Sequence, residues 1–213
     1  MVEGKDSGRR TVRSGQPFDM PDATRMLARA FGDDPQAQWF HPSSRSRARR
    51  LRISFEGSYL ASCRVSNGVD VAVDDTHRIV GSALWIASPH IRPRASMTLD
   101  EWLRMRRTHG SRSRLVATGT RQIWNSHVQE PHWHLLAFGT APEVRGHGYG
   151  EALMLSGLAR CQADGLPAHL ETSNPDNIPY YERFGFEVTG AVDPPGGWPR
   201  NWLMRYTPQA SAS

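Results

Sequence analysis

Apolar residues recur at helical spacing over residues 21–31, where Ala23, Met26, Leu27, Ala30 and Phe31 stand at i, i+3, i+4, i+7 and i+8 on one face. Asp19 precedes this stretch as an N-cap with Asp22 three residues on, and Gly32 and Pro35 close it. A second helix is predicted over residues 45–63, with Leu51, Phe55 and Tyr59 at four-residue steps and Arg45, Arg47, Arg49, Arg50 and Arg52 crowding its start. Residues 69–74 and 78–87 are rich in β-formers and flank the turn-like Asp74-Asp75-Thr76, the pattern of a hairpin. Through 98–128, Trp102, Leu103, Met105, Leu115, Ile123 and Trp124 suggest two helical pieces around Gly110. Beyond Pro131 the pattern predicts strand 132–140, loop 141–147, helix 148–163, strand 168–173, helix 178–184 and β segments near 185–192 and 198–206. Alternating strands and helices of this kind imply a mixed α/β layer.

Composition narrows the picture. A chain of 213 residues buries one substantial core, so residues 11–206 are expected to form a single domain, with 1–10 and 207–213 as loose, polar ends. No internal repeat interrupts it. Cys63 and Cys161 make neither a paired framework nor a CxxC spacing, which favours a reducing compartment. The N-terminus has no apolar signal-like run and no stretch spans a bilayer, so an untargeted, soluble, cytoplasmic protein without membrane partners is expected. The net charge of +5 leaves a polyanion or a phosphate-bearing small molecule open as partner. The arginines of 45–52 read either as a solvated helix with snorkelling stems or as a phosphate- or nucleic-acid-binding patch.

The densest chemical signal is Pro142-Glu143-Val144-Arg145-Gly146-His147-Gly148-Tyr149-Gly150, between the apolar strand and the helix that follows. Alternating glycines let the backbone approach a ligand closely, and a helix start offers unpaired N–H groups and a positive dipole end. A pyrophosphate suits such a loop. A P-loop needs Gly-Lys-Ser/Thr where Gly148-Tyr149-Gly150-Glu151 stands, and Glu151 also breaks a dinucleotide fingerprint. A structural turn is the plain alternative.

Arg145-x-x-Gly148-x-Gly150, preceded by Pro142, resembles the acyl-CoA signature of the GNAT acetyltransferase superfamily. Glu171-Thr172-Ser173 and the run from Asn177 through Tyr180-Tyr181-Glu182-Arg183-Phe184-Gly185-Phe186 resemble its second signature. Residues 131–206, with Trp133 and Asn201-Trp202-Leu203-Met204, are similar to puromycin N-acetyltransferase-type actinobacterial enzymes, as is Ala30-Phe31-x-Asp33-Asp34-Pro35. The resemblance implies an α/β (α+β) fold with one mixed, mostly antiparallel sheet, flanking helices and splayed central strands. It implies acetyl-CoA as co-substrate and transfer to a primary amine of a small molecule, an antibiotic or aminonucleoside among them, by direct attack in a ternary complex. Tyr181 then acts as general acid, since a phenol stays protonated at neutral pH. The main chain around Phe138, Gly139 and Thr140 pairs with the pantetheine arm, Arg145, Gly146, His147, Gly148, Tyr149 and Gly150 hold the pyrophosphate, and Asn174 or Asn177 adds a contact.

The general base stays open: Glu171 ranks ahead of His134, and His132, two residues earlier on the same strand, shares a face with His134. No third ligand at recognisable spacing makes a metal site of these histidines. Trp39, Phe40, Trp85 and Trp124 are candidates for an aromatic acceptor pocket or for the core. An acyl-CoA sensor without turnover, a protein N-acetyltransferase and a nucleic-acid binder are the alternatives, with nucleic acid the least supported. A monomer and a homodimer are both compatible with the chain.

Overall fold

The computed structural model describes residues 10–65, 67–88, 98–126 and 130–209. Seven strands form one sheet in the order β1-β2-β3-β4-β5-β7-β6. They are β1 (Thr11–Ser14), β2 (Val69–Val73), β3 (Ile79–Ala87), β4 (Trp133–Thr140), β5 (Ala168–Thr172), β6 (Phe186–Val192) and β7 (Asn201–Tyr206). Every pairing is antiparallel except that of β4 with β5. Helices α1 (Met20–Ala30) and α3 (Ser44–Ser62) cover one face, and α6 (Tyr149–Asp164) packs on the other against β2 and β3. Covered on both sides, β2 is buried at every residue and reads VDVAV rather than as a simple alternation. Its one charge, Asp70, accepts from Arg160 Nη2 of α6 at 2.8 Å, and Ser156 Oγ lies 3.2 Å from its other oxygen.

Most predicted elements are present within a residue or two. The hairpin turn is closed by Asp74 Oδ1, which accepts from the N–H groups of Thr76 and Arg78. The two helical pieces around Gly110 are α4 (Leu99–His109) and α5 (Ser113–Asn125), and α7 (Ile178–Glu182) precedes β6. Residues 1–9, 127–128 and 210–213 of the predicted segments lie outside the described residues.

One local expectation is corrected, and three features stand beside it. Asp19 does not cap α1; its carboxylate takes both Nη groups of Arg13 at 2.7 Å and the N–H of Gln16, closing the 3₁₀ turn before the helix. Strand β1 lacks an apolar pattern and exists through pairing with β2. A short helix, α2 (Pro35–Phe40), follows α1, capped by Asp34 accepting from the Ala37 N–H at 3.0 Å. The two ends are also tied where they are described: Arg10 Nε donates to the His147 carbonyl at 2.7 Å, and Gln209 exchanges two hydrogen bonds with Gln162.

Strand β4 carries the feature that shapes the site. Leu84 pairs with Ala137 and Trp85 with Leu135, so Leu136 is an extra residue in β4, a bulge. Alternation reverses there. Trp133 and Leu135 face α6, and so do Phe138 and Thr140, which lie about the Gly150 position. Ala137 and Gly139 face α1.

Candidate active site

Strands β4 and β5 share only two register pairs, Trp133↔Ala168 and His134↔His169. From there β4 runs on to Thr140 and β5 to Thr172 without pairing to each other. This leaves one backbone edge of β4 unmatched beside half-buried Leu136, Phe138, Gly139 and Thr140. Such an edge is a template for an extended ligand with amide groups.

The glycine loop lies at the end of this opening. Gly146 and Gly148 hold φ of 80° and 84°, the left-handed region that a side chain rarely adopts. A Cβ at Gly146 would meet nothing within 4 Å, and one at Gly148 only the Arg10 side chain, so the loop faces open space. Gly150 is small for another reason: a Cβ there would stand 2.9 Å from Tyr180 Oη. Helix α6 begins at Tyr149, and the N–H groups of its first turn point out of the helix start. Tyr149 itself is buried in the core. Arg145 is exposed and donates from Nη2 to the Ala30 carbonyl at 3.0 Å, tying the loop to the end of α1. Arg10, which the sequence left among the loose residues, lays its guanidinium 5.3 Å from the Tyr149 ring centre. A diphosphate therefore fits this loop: main-chain donors, two guanidinium groups and space for it are all present.

A cavity of about 580 Å³ lies between β4 and β5 on one side and α2 to α5 on the other, with Phe31 just past α1 also lining it. Tyr181, Glu171, His134, Phe138 and Asn177 all line it. His134 Nε2 lies 3.3 Å from Glu171 Oε2, so the two candidates for the base form one pair. Tyr181 is buried, and burial, followed by the influence of Tyr180 and Asp34, pushes its hydroxyl pKa well above the ordinary value. Tyr180 faces away from the cavity, among Phe138, Phe184 and Gly150, with its hydroxyl pushed up to about 12 by burial. The two asparagines separate. Asn177 donates to Thr172 Oγ1 at 3.4 Å on the cavity wall, whereas Asn174 caps the 3₁₀ turn by accepting from the Asp176 N–H.

His132 lies outside the cavity lining, with Nδ1 2.7 Å from the Glu130 carbonyl and its ring against His169. Among the described residues no group of three or more His, Cys, Asp or Glu is arranged to hold a metal ion. Of the four candidate aromatics, Phe40 and Trp124 line the cavity. Trp39 stacks on Trp198 behind the wall, and Trp85 is fully buried beneath α6. Asp34 and Trp198, like Phe31 and Phe55, are wall residues that the sequence reading did not name as site groups. Asp34 carried a signal, an acid before Pro35 at a helix start; burial raises its pKa against the lowering effect of its bond to Ala37. The arginine-rich stretch is partly structural: Arg47 donates to the carbonyls of His41, Gly32 and Pro42, and Arg50 reaches Thr108.

The acetyltransferase (GNAT) family profile matches residues 27–186, from α1 into the start of β6, and the chain belongs to this family. An uncharacterized N-acetyltransferase of Schizosaccharomyces pombe is 26% identical over 186 residues, covering 79% of this chain and 70% of the relative. A solved structure described as histone acetyltransferase HPA2 and related acetyltransferase, from Corynebacterium glutamicum, superposes with a TM-score of 0.71 at 26% identity, covering 96% of this chain and 99% of the other. The polyamine N-acetyltransferase of Drosophila melanogaster shares the fold, with a TM-score of 0.64 at 15% identity over 92% of this chain and 99% of its own. The protein is thus an acetyltransferase of the GNAT type. No helix among the described residues is long and apolar enough to cross a membrane.

Proposed function

We propose that this enzyme transfers an acetyl group from acetyl-CoA to a primary amine of a small molecule, by direct attack in a ternary complex. The observation that carries the reading is one cavity, opening at the β4–β5 splay, which Tyr181 and the Glu171–His134 pair line together. The amine nitrogen bonds to the thioester carbonyl carbon and the carbon–sulfur bond breaks. Three proton transfers accompany this. Glu171, with His134 beside it, takes the proton that turns the ammonium into the attacking amine, Tyr181 gives its hydroxyl proton to the departing thiolate, and the second proton shed by the new amide nitrogen restores the tyrosine. A hydroxyl whose pKa is raised by burial keeps its proton until the sulfur needs it. Asp34, on the same wall, adds a second carboxylate to hold the incoming ammonium.

The glycine loop holds the pyrophosphate through main-chain N–H groups, with Arg145 and Arg10 supplying charge, and the free edge of β4 from Phe138 to Thr140 pairs with the pantetheine amides. Neither Cys63 nor Cys161 lines the cavity, and burial pushes the Cys161 thiol up to about 12, which argues against an acyl-cysteine intermediate. Free thiols suit a reducing, cytoplasmic setting. The likeness of residues 131–206 to puromycin-type enzymes puts aminonucleosides among the acceptors to test.

The test is release of CoA thiol from acetyl-CoA over a panel of amines, beside calorimetric binding of acetyl-CoA. Sustained release is expected, and Gly148→Glu should abolish acetyl-CoA binding by putting bulk and negative charge in the loop. Binding without release over the panel would instead make the protein an acyl-CoA sensor, and release with peptides alone a protein N-acetyltransferase.

A further inference from the structure

The acetyl-transfer reading leaves the acceptor open, and the wall of the cavity narrows it. Charge on that wall is segregated. Glu171 and Asp34 are its sheltered carboxylates, Glu171 beside His134 and Asp34 near enough to Tyr181 to influence its hydroxyl. The other charged lining groups are Arg64, just past the end of α3, and Asp100, Glu101 and Arg104 of α4, and of these Arg64, Asp100 and Glu101 are exposed. There the charge of Asp100 is paired with Arg104 at 2.9 Å and Glu101 closes the start of α4 with Thr98. Arg64 has no ion-pair partner among the described residues.

Apolar and aromatic surface makes up most of the rest. Phe31 and Phe55 pack with ring centres 5.1 Å apart, Trp124 lies 5.6 Å from His134, and Met105, Val116 and Ile123 also line the cavity. The remaining polar groups there are neutral, among them Ser54, Ser58 and Thr120. A volume of about 580 Å³ suits a small molecule beside the acetyl-bearing thioester.

Resting on the acetyl-transfer reading, we infer that the acceptor is a primary amine with a single positive charge on a short arm and an aromatic body that occupies the wall of Phe31, Phe55 and Trp124. The ammonium enters toward Glu171 and Asp34, where carboxylates replace its water. A polyamine would carry its second ammonium along an aromatic wall or out to the rim of Arg64, Asp100 and Glu101, where Asp100 is already paired with Arg104. A peptide would bring several main-chain amide groups against the apolar part of that surface, Phe31, Phe55, Met105, Val116 and Ile123, where they find no partner.

The full-length protein with acetyl-CoA, assayed against 2-phenylethylamine, tryptamine, propylamine, agmatine, spermidine and a free tripeptide, decides the matter. The aromatic monoamines should exceed agmatine, spermidine and the tripeptide at least tenfold in kcat/KM. Trp124→Ala should reduce kcat/KM for tryptamine more than for propylamine, with acetyl-CoA affinity measured separately by calorimetry. Agmatine, spermidine or the tripeptide turned over as well as the aromatic amines would overturn the assignment while leaving acetyl transfer standing. Equal losses for tryptamine and propylamine in Trp124→Ala would remove the aromatic wall as the cause. If acetyl-CoA binds and no amine releases thiol, the transfer reading falls and this inference with it.

Discussion

Tyr180 and Tyr181 are adjacent in the chain yet face opposite surroundings. On a helix one step turns the side chain by about 100°. Tyr181 is thereby set on the cavity wall and Tyr180 against Phe138 and Phe184 at the start of α6. Tyr181→Phe keeps the ring in the core and deletes only the proton donor. It should lower kcat about 10²-fold or more, the usual worth of a positioned acid, while acetyl-CoA affinity changes little. An unchanged kcat would remove Tyr181 from the chemistry. Glu171 and His134 read from the sequence as competing candidates for the base, and the fold sets them 3.3 Å apart. Residues 37 positions apart meet because β4 and β5 are neighbours, a relation no local pattern contains. Asp34 was readable as a helix cap but not as a cavity group, since its second role depends on the separate elements packed around it.

At the level of elements, the position of α6 decides where the glycine loop points. The helix is held to the sheet by the Asp70–Arg160 pair and by the fit of Gly157 against Trp85, whose ring is fully buried. Gly157→Ala tests that fit. Alanine favours a helix over glycine by up to about 1 kcal/mol. Its Cβ would overlap the Trp85 ring, however, and overpacking a dense core costs about 1–3 kcal/mol. The clash should win, with a net loss of about 1–2 kcal/mol and a thermal midpoint lowered by roughly 2–8 °C. A raised midpoint would show that the ring yields. The bulge at Leu136 is the other decisive local feature. Strict alternation puts His134, Leu136, Phe138 and Thr140 on one face; the extra residue sends Phe138 and Thr140 to the α6 side and leaves His134 on the other. Nothing in the run Leu135-Leu136-Ala137-Phe138 announces that, because apolar residues suit either face of a strand buried on both.

For the molecule as a whole, buried His41 couples stability to pH. It is 1% exposed, stacks on His109 at 5.1 Å, and has no hydrogen-bond partner for either ring nitrogen among the described residues. Burial first, then the charges of Arg50 and Arg47, with Arg112 adding to them, lowers its pKa from 6.5 to about 4, against an opposing effect from the Phe40 main chain. The unfolded chain therefore binds this proton where the folded one does not. Stability from this group is full above pH 6.5 and is lost as pH falls toward 4, by up to about 3 kcal/mol. The thermal midpoint of His41→Phe should fall less over that interval than that of the wild type; parallel curves would show that His41 is not responsible. By itself the sequence determined the order and kind of the elements from α1 onward, the short α2 apart, together with the glycine loop and the tyrosine helix, because periodicity, turn residues and motif spacing act over a few neighbouring residues. Only the tertiary structure decided that Thr11–Ser14 is a strand, that β4 and β5 part beyond two pairs, and that Asp34, Trp124 and Trp198 share a cavity with Tyr181. Those outcomes come from pairing and burial between segments far apart in the chain, where what a side chain does depends on what packs against it.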